Sequence, residues 1–135
     1  MEKLKYGYLK LFRQIVNWQW YKDAGVFRVF LHCLLRANYV SKNWRGMNIP
    51  TGSFVTSYQN LASEIGMSVQ NVRTAVKKLV KTGNLSIDSN NRYTIITVNH
   101  YSVYQNTTYP NVKNQQNNGK TDIFERLKRE METQL

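Results

Sequence analysis

The chain has 135 residues, 41% of them apolar, and carries 19 Lys and Arg against 8 Asp and Glu, a formal charge of +11. The apolar share supports one folded core, and a single cysteine excludes an intrachain disulfide and a cysteine-cluster zinc site. No apolar run approaches the roughly 20 residues of a membrane span, and no signal-peptide core opens the chain. The expectation is therefore a protein of the bacterial host cytoplasm, with no membrane role and a polyanionic partner.

In chain order, Tyr6–Trp20 places Leu9, Phe12, Ile15, Val16 and Trp20 near helical spacing. Asp23 is a cap for a second helix, Ala24–Asn38, which is apolar nearly all round and so expected at the centre of the fold. Its one polar stripe is Arg28, His32 and Arg36. Trp44–Ile49 and Ser53–Thr56, joined by Pro50-Thr51-Gly52, read as a small hairpin. Tyr58–Ile65 and Ser68–Thr82 read as helices, and Leu85–Asp88 with Arg92–Val98 as a second hairpin around Ser89-Asn90-Asn91.

Composition shifts after Tyr104. Residues 1–104 hold 14 Lys/Arg and 4 Asp/Glu, and residues 105–135 hold 5 and 4, so the excess charge belongs to the first part. Gln105–Lys120 is rich in Asn and Gln and reads as a linker. Residues 121–135 read as a short amphipathic helix, capped by Asp122, whose stripe of Ile123, Phe124, Leu127 and Met131 is a candidate partner-binding face. The expected domains are thus 1–104, a linker 105–120 and a helix 121–135.

The pattern within Ser57–Val98 carries the chemistry. Ser57 caps a short helix, Gly66 ends it in a tight turn, and Ser68 caps a longer one. Val69, Val72, Ala75, Val76, Leu79 and Val80 fill one side of that longer helix. Gln70, Asn71, Arg73, Thr74, Lys77, Lys78 and Lys81 fill the other, with no carboxylate among them. Amides pair bidentately with adenine, guanidinium with guanine, and ammonium with phosphate. A helix pair with a Gly turn is the helix-turn-helix pattern, and the following hairpin makes it winged. The expected fold is mainly α with small β-hairpins: a winged helix-turn-helix, a polar linker and a short C-terminal helix. The candidate DNA-binding set is Ser57, Ser68, Gln70, Asn71, Arg73, Thr74, Lys77, Lys78 and Lys81, with Asn90, Asn91 and Arg92 at the wing tip.

These stretches also carry a resemblance. GYLKLFRQIVNWQWYKD, VFRVFLHCLLRAN, NWRGMNIPTGSFVTSYQNLASEIGMSVQNVRTAVKKLVKTGNLSI and NRYTIITVNHYSVYQ resemble, in that order, the N-terminal winged-helix domain of phage replisome-organiser and DnaD-like replication initiation proteins. The resemblance implies binding of an origin duplex, recruitment of a replicative helicase or its loader, and self-association into a homo-oligomer. Members of that group usually carry a second, helical domain, whereas here residues 105–135 follow.

Other chemistry is sparse. His32 and His100 stand far apart, and no P-loop, GxGxxG or metal-ligand spacing occurs, so neither an enzyme, a cofactor nor a metal is expected. Cys33 neighbours apolar residues and reads as an inert core thiol. Trp18, Trp20, Trp44, Tyr6, Tyr8, Tyr101 and Tyr104 suit stacking on single-stranded bases, but core packing and protein contact account for such residues more often. Arg28 and Arg36 suit a phosphate or an acid of a neighbouring subunit. Two other functions share the scaffold: a transcriptional regulator, and a basic module binding an acidic host or phage protein.

Overall fold

A computed structural model describes residues 7–106 of the chain. The expected C-terminal helix with Ile123, Phe124, Leu127 and Met131, and the linker from residue 107 onward, lie outside the described residues.

The N-terminal stretch does not form the expected helix. Only Arg13–Asn17 winds up, as a 3-10 turn, and Phe12 at its start offers no side-chain acceptor to cap it. Tertiary anchors hold this stretch instead. The Trp18 ring is buried against Phe30 at a centroid distance of 4.7 Å. The Trp20 indole N–H donates to Thr82 Oγ1 at 3.1 Å.

Helix α1 spans Ala24–Arg36, two residues shorter than the apolar pattern suggests. Asp23 Oδ1 accepts from the Val26 N–H at 3.1 Å and caps it. Its buried face is Val26, Val29, Cys33 and Leu34, and Leu35 is exposed, so α1 is not enclosed on all sides.

The first hairpin differs from expectation. Strands β1 (Lys42–Trp44) and β2 (Met47–Ile49) pair with each other through the two-residue turn Arg45-Gly46. Both turn residues have positive φ, 49° and 80°, the backbone of a type I′ turn. Strand β3 (Ser53–Thr56) pairs instead with a strand from the other end of the fold. The reason is local. Asn43 Oδ1 accepts from the Gly46 N–H and tightens that turn. The Pro50–Ser53 turn, closed by Ser53 N–H to Pro50 carbonyl at 3.1 Å, then points the chain away.

Helices α2 (Tyr58–Ile65) and α3 (Val69–Lys81) follow, capped by Ser57 and Ser68. Gly66 between them has φ +80°, the left-handed position that glycine occupies without strain. Beyond α3, the Gly83 N–H donates to the Val80 carbonyl and the Asn84 N–H to the Leu79 carbonyl. This double closure is a Schellman motif, and it ends the helix where Thr82 caps it. Strands β4 (Leu85–Ser89) and β5 (Thr94–Val98) close the hairpin around residues 90–93.

Among the described residues the result is four α-helices and two small antiparallel sheets, β1-β2 and β3-β5-β4. One face of the larger sheet sends Phe54, Leu85, Ile96 and Val98 into a core shared with α1, α2 and α3. No helix among the described residues is long and apolar enough to cross a membrane.

Helix α4 (Tyr101–Asn106) has no counterpart in the sequence reading and runs two residues past Tyr104. The Gln105 amide donates to the Lys10 carbonyl at 3.0 Å, and the amide oxygen accepts from the Lys10 N–H at 2.9 Å. One side chain thereby ties the two ends of the described chain together. Buried Tyr101 roofs Gly52, whose φ is +86°. A Cβ at position 52 would lie 2.7 Å from Tyr101 Cβ. Gly52→Ala should therefore cost about 1–3 kcal/mol from the backbone alone, with more from the clash, as read by urea unfolding. A variant as stable as the parent would refute this account of the β3–α4 junction.

Candidate nucleic-acid interface

Helix α3 is divided along its length. Val72, Ala75, Val76 and Leu79 are buried, while Gln70, Asn71, Arg73, Thr74, Lys77 and Lys81 are exposed. Arg73, Lys77 and Lys81 recur at i, i+4 and i+8, so they form one row about 12 Å long. Gln70 and Thr74 form a second row beside it. Thr74 Oγ1 donates back to the Gln70 carbonyl at 3.0 Å, leaving the Gln70 amide exposed at the start of the helix. The Arg73 guanidinium lies 4.4 Å from the centroid of the Tyr58 ring, which holds it over α2.

Lys78 departs from the expected row. Its ammonium reaches toward α1, 3.3 Å from Asp23 Oδ2 and 5.7 Å from the Trp20 ring centroid. Asp23 thus caps α1 with one oxygen and meets α3 with the other. Val80, placed on the apolar side by the helical wheel, is 40% exposed.

The cap residues Ser57 and Ser68 use their hydroxyl oxygens to accept from Asn60 and Asn71 N–H groups. At the β4–β5 tip, Asn90 Oδ1 accepts from the N–H groups of Arg92 and Tyr93 at 2.8 and 3.0 Å. Asn90 therefore shapes the turn, and the exposed side chains of Asn91 and Arg92 stand at its end.

The tip does not stand alone. The Tyr93 ring meets Trp44 edge-on at 5.1 Å, and its hydroxyl donates to Met47 Sδ at 3.2 Å. Trp44 is thus a packing residue of the β1–β2 hairpin. This hairpin adds two exposed cations that the sequence reading did not single out, Lys42 and Arg45. The available signal was Trp44-Arg45-Gly46, a cation between an aromatic and a turn-forming glycine.

The acids explain the rest of the field. Among the described residues they are Asp23, Glu64 and Asp88. Glu64 lies 3.2 Å from His32 Nε2 and 3.6 Å from Arg36 Nε. The α1 stripe thus has its acid within its own chain, on α2, and Arg28 remains exposed beside it. With Asp23 on Lys78, two of the three carboxylates are drawn to the junctions of α1 with α2 and α3. The row Arg73, Lys77 and Lys81 has no ion pair among the described residues.

Burial pushes the Cys33 thiol up to about 12, so it stays protonated at neutral pH. No cluster of three or more His, Cys, Asp or Glu suited to a metal occurs among the described residues. No protein-family model, curated protein or solved structure matches the chain.

The two duties of Asp23 are separable. Asp23→Ala should cost about 1–2 kcal/mol, chiefly as a lost cap. Lys78→Ala should cost less than about 1 kcal/mol, because the pair is partly exposed. A double-mutant cycle in urea should give a coupling below about 1 kcal/mol. A coupling of several kcal/mol would mean that the ion pair, not the cap, fixes α1 on α3.

Proposed function

We propose that this chain binds double-stranded DNA through a winged helix-turn-helix, with α3 as the recognition helix and the β4–β5 hairpin as the wing. The observation that carries the reading is the acid-free outer face of α3, on which Gln70, Asn71 and Thr74 precede the row Arg73, Lys77 and Lys81. Amide and hydroxyl groups near the helix start suit base edges in the major groove, and the cations suit flanking phosphates. The order α2, Gly turn, α3, β4, β5 supports the same reading. Arg92 beside the wing tip suits a neighbouring phosphate. Lys78 contributes to holding α3 against α1 more than to the contact.

The process served is the initiation of phage or mobile-element DNA replication, by origin binding and replisome organisation. That step rests on the sequence resemblance across residues 7–104. A replicative helicase or loader and a second copy of the chain are the partners it implies.

The binding claim is tested by fluorescence anisotropy on duplex DNA across a salt series. Lys77→Ala with Lys81→Ala should weaken binding to every duplex. It should also reduce the slope of log K against log salt by about 0.9 per lost phosphate contact. Gln70→Ala should instead lower discrimination between sites by about 1–3 kcal/mol with a smaller effect on random duplex. Unchanged affinity and slope in a folded Lys77→Ala, Lys81→Ala variant would remove α3 from the interface.

A further inference from the structure

The turn at Arg45-Gly46 is built against its own preference. A type I′ turn needs positive φ at both central residues, and Asn, Asp or Gly supply it with least strain. Here the first position is Arg45 at φ +49°. The structure supports that choice on two sides. Asn43 Oδ1 accepts from the Gly46 N–H at 3.1 Å, and the Arg45 guanidinium lies 4.7 Å from the centroid of the Trp44 ring. Trp44 in turn packs edge-on against Tyr93, the neighbour of Arg92. Arg45 thus lies over one ring of an aromatic pair and Arg92 precedes the other in the chain, and the pair joins the β1–β2 turn to the tip of the β4–β5 hairpin.

The charge around this pair is one-sided. Lys42, Arg45 and Arg92 are all exposed and none forms an ion pair among the described residues. The Lys42 ammonium lies 5.9 Å from the centroid of Tyr39, a ring that is 72% exposed. The one carboxylate on the neighbouring sheet, Asp88, is exposed on β4 and forms no ion pair with Arg92 among the described residues.

We propose that Lys42 and Arg45 form, with Arg92, a second phosphate-binding clamp that grips duplex DNA beyond the groove contacted by α3. The inference rests on the duplex-binding reading above and extends its footprint. The Trp44 ring holds the Arg45 guanidinium in place before DNA arrives, so less side-chain freedom is lost on contact. An occupied Trp44 face and a packed Tyr93 disfavour base stacking at this site, which is why a duplex backbone is the ligand and not an unpaired strand. The clamp confers affinity and reach and leaves base discrimination to α3.

The test uses the full chain and two substitutions at the turn. Arg45→Asn places a residue that favours the left-handed turn and removes the cation. Its thermal midpoint should equal or exceed the parent's, while its affinity for a duplex of about 30 base pairs falls several-fold. Combined with Lys42→Ala, the salt slope on that duplex should drop by about two. The ratio of the double variant's affinities for a preferred site and a random duplex of that length, which α3 sets, should be unchanged. A folded double variant with parental affinity and slope on such a duplex overturns the clamp while leaving the α3 reading standing, provided Lys77→Ala with Lys81→Ala still weakens binding. Parent protein that binds neither duplex overturns both. A loss confined to single-stranded DNA or RNA overturns the duplex assignment of the clamp.

Discussion

The one-sided burial of α3 is the constraint on which the remaining geometry depends. Val72 and Leu79 are fully buried and Val76 nearly so, facing a core that also holds Val29 and Cys33 of α1. Each residue advances 100° around a helix, so a rotation by one position would exchange Val72 for Arg73. Burying that guanidinium without a partner is far costlier than burying a valine. The core thereby sets the angle at which Gln70, Thr74, Lys77 and Lys81 leave the molecule. The Ser68 cap and the Gly83 closure set where that face begins and ends. The outward chemistry of α3 is a consequence of what its inner face has to do.

The carboxylates extend the same logic. A helix ordinarily gains about 0.3–1 kcal/mol from an acid in its first turn. None of α1, α2 and α3 has one there, although Asp23 serves α1 from the cap position. Asp23 and Glu64 sit where a carboxylate can meet a second helix, and each does so, on Lys78 and on His32 with Arg36. Apart from Asp88, exposed on β4, what remains outside is cationic. The fold forgoes small local gains at the surface of α3 and uses its few acids at the seams between helices.

The parts of this arrangement that a linear reading recovers are those written in local chemistry. The Asp23, Ser57 and Ser68 caps, the Gly66 turn and the division of α3 each depend on residues within a few positions, and the structure agrees with them. The parts that escape it depend on distant partners. Nothing near Trp20 points to Thr82, and nothing near Lys10 points to Gln105. The N-terminal stretch therefore reads as a helix and α4 as the edge of a linker. Arg45 hides a turn because arginine seldom makes one, so β3 is assigned to the wrong partner strand. A helical wheel places Lys78 correctly by angle, yet the length of its side chain lets it turn to Asp23.

Charge and stability are coupled in this molecule. Arg73–Lys77 and Lys77–Lys81 are like-charge pairs at i,i+4, each unfavourable by about 0.2–0.5 kcal/mol in water. No described acid offsets them. Such a row weakens the helix that carries it, and the buried valines and Leu79 supply the stability that tolerates it. A bound polyanion would relieve that repulsion and would also stabilise the folded state by mass action. On the proposed reading, the repulsion along this row, offset in part where Arg73 lies over Tyr58, would weaken the free protein and favour a DNA-bound one.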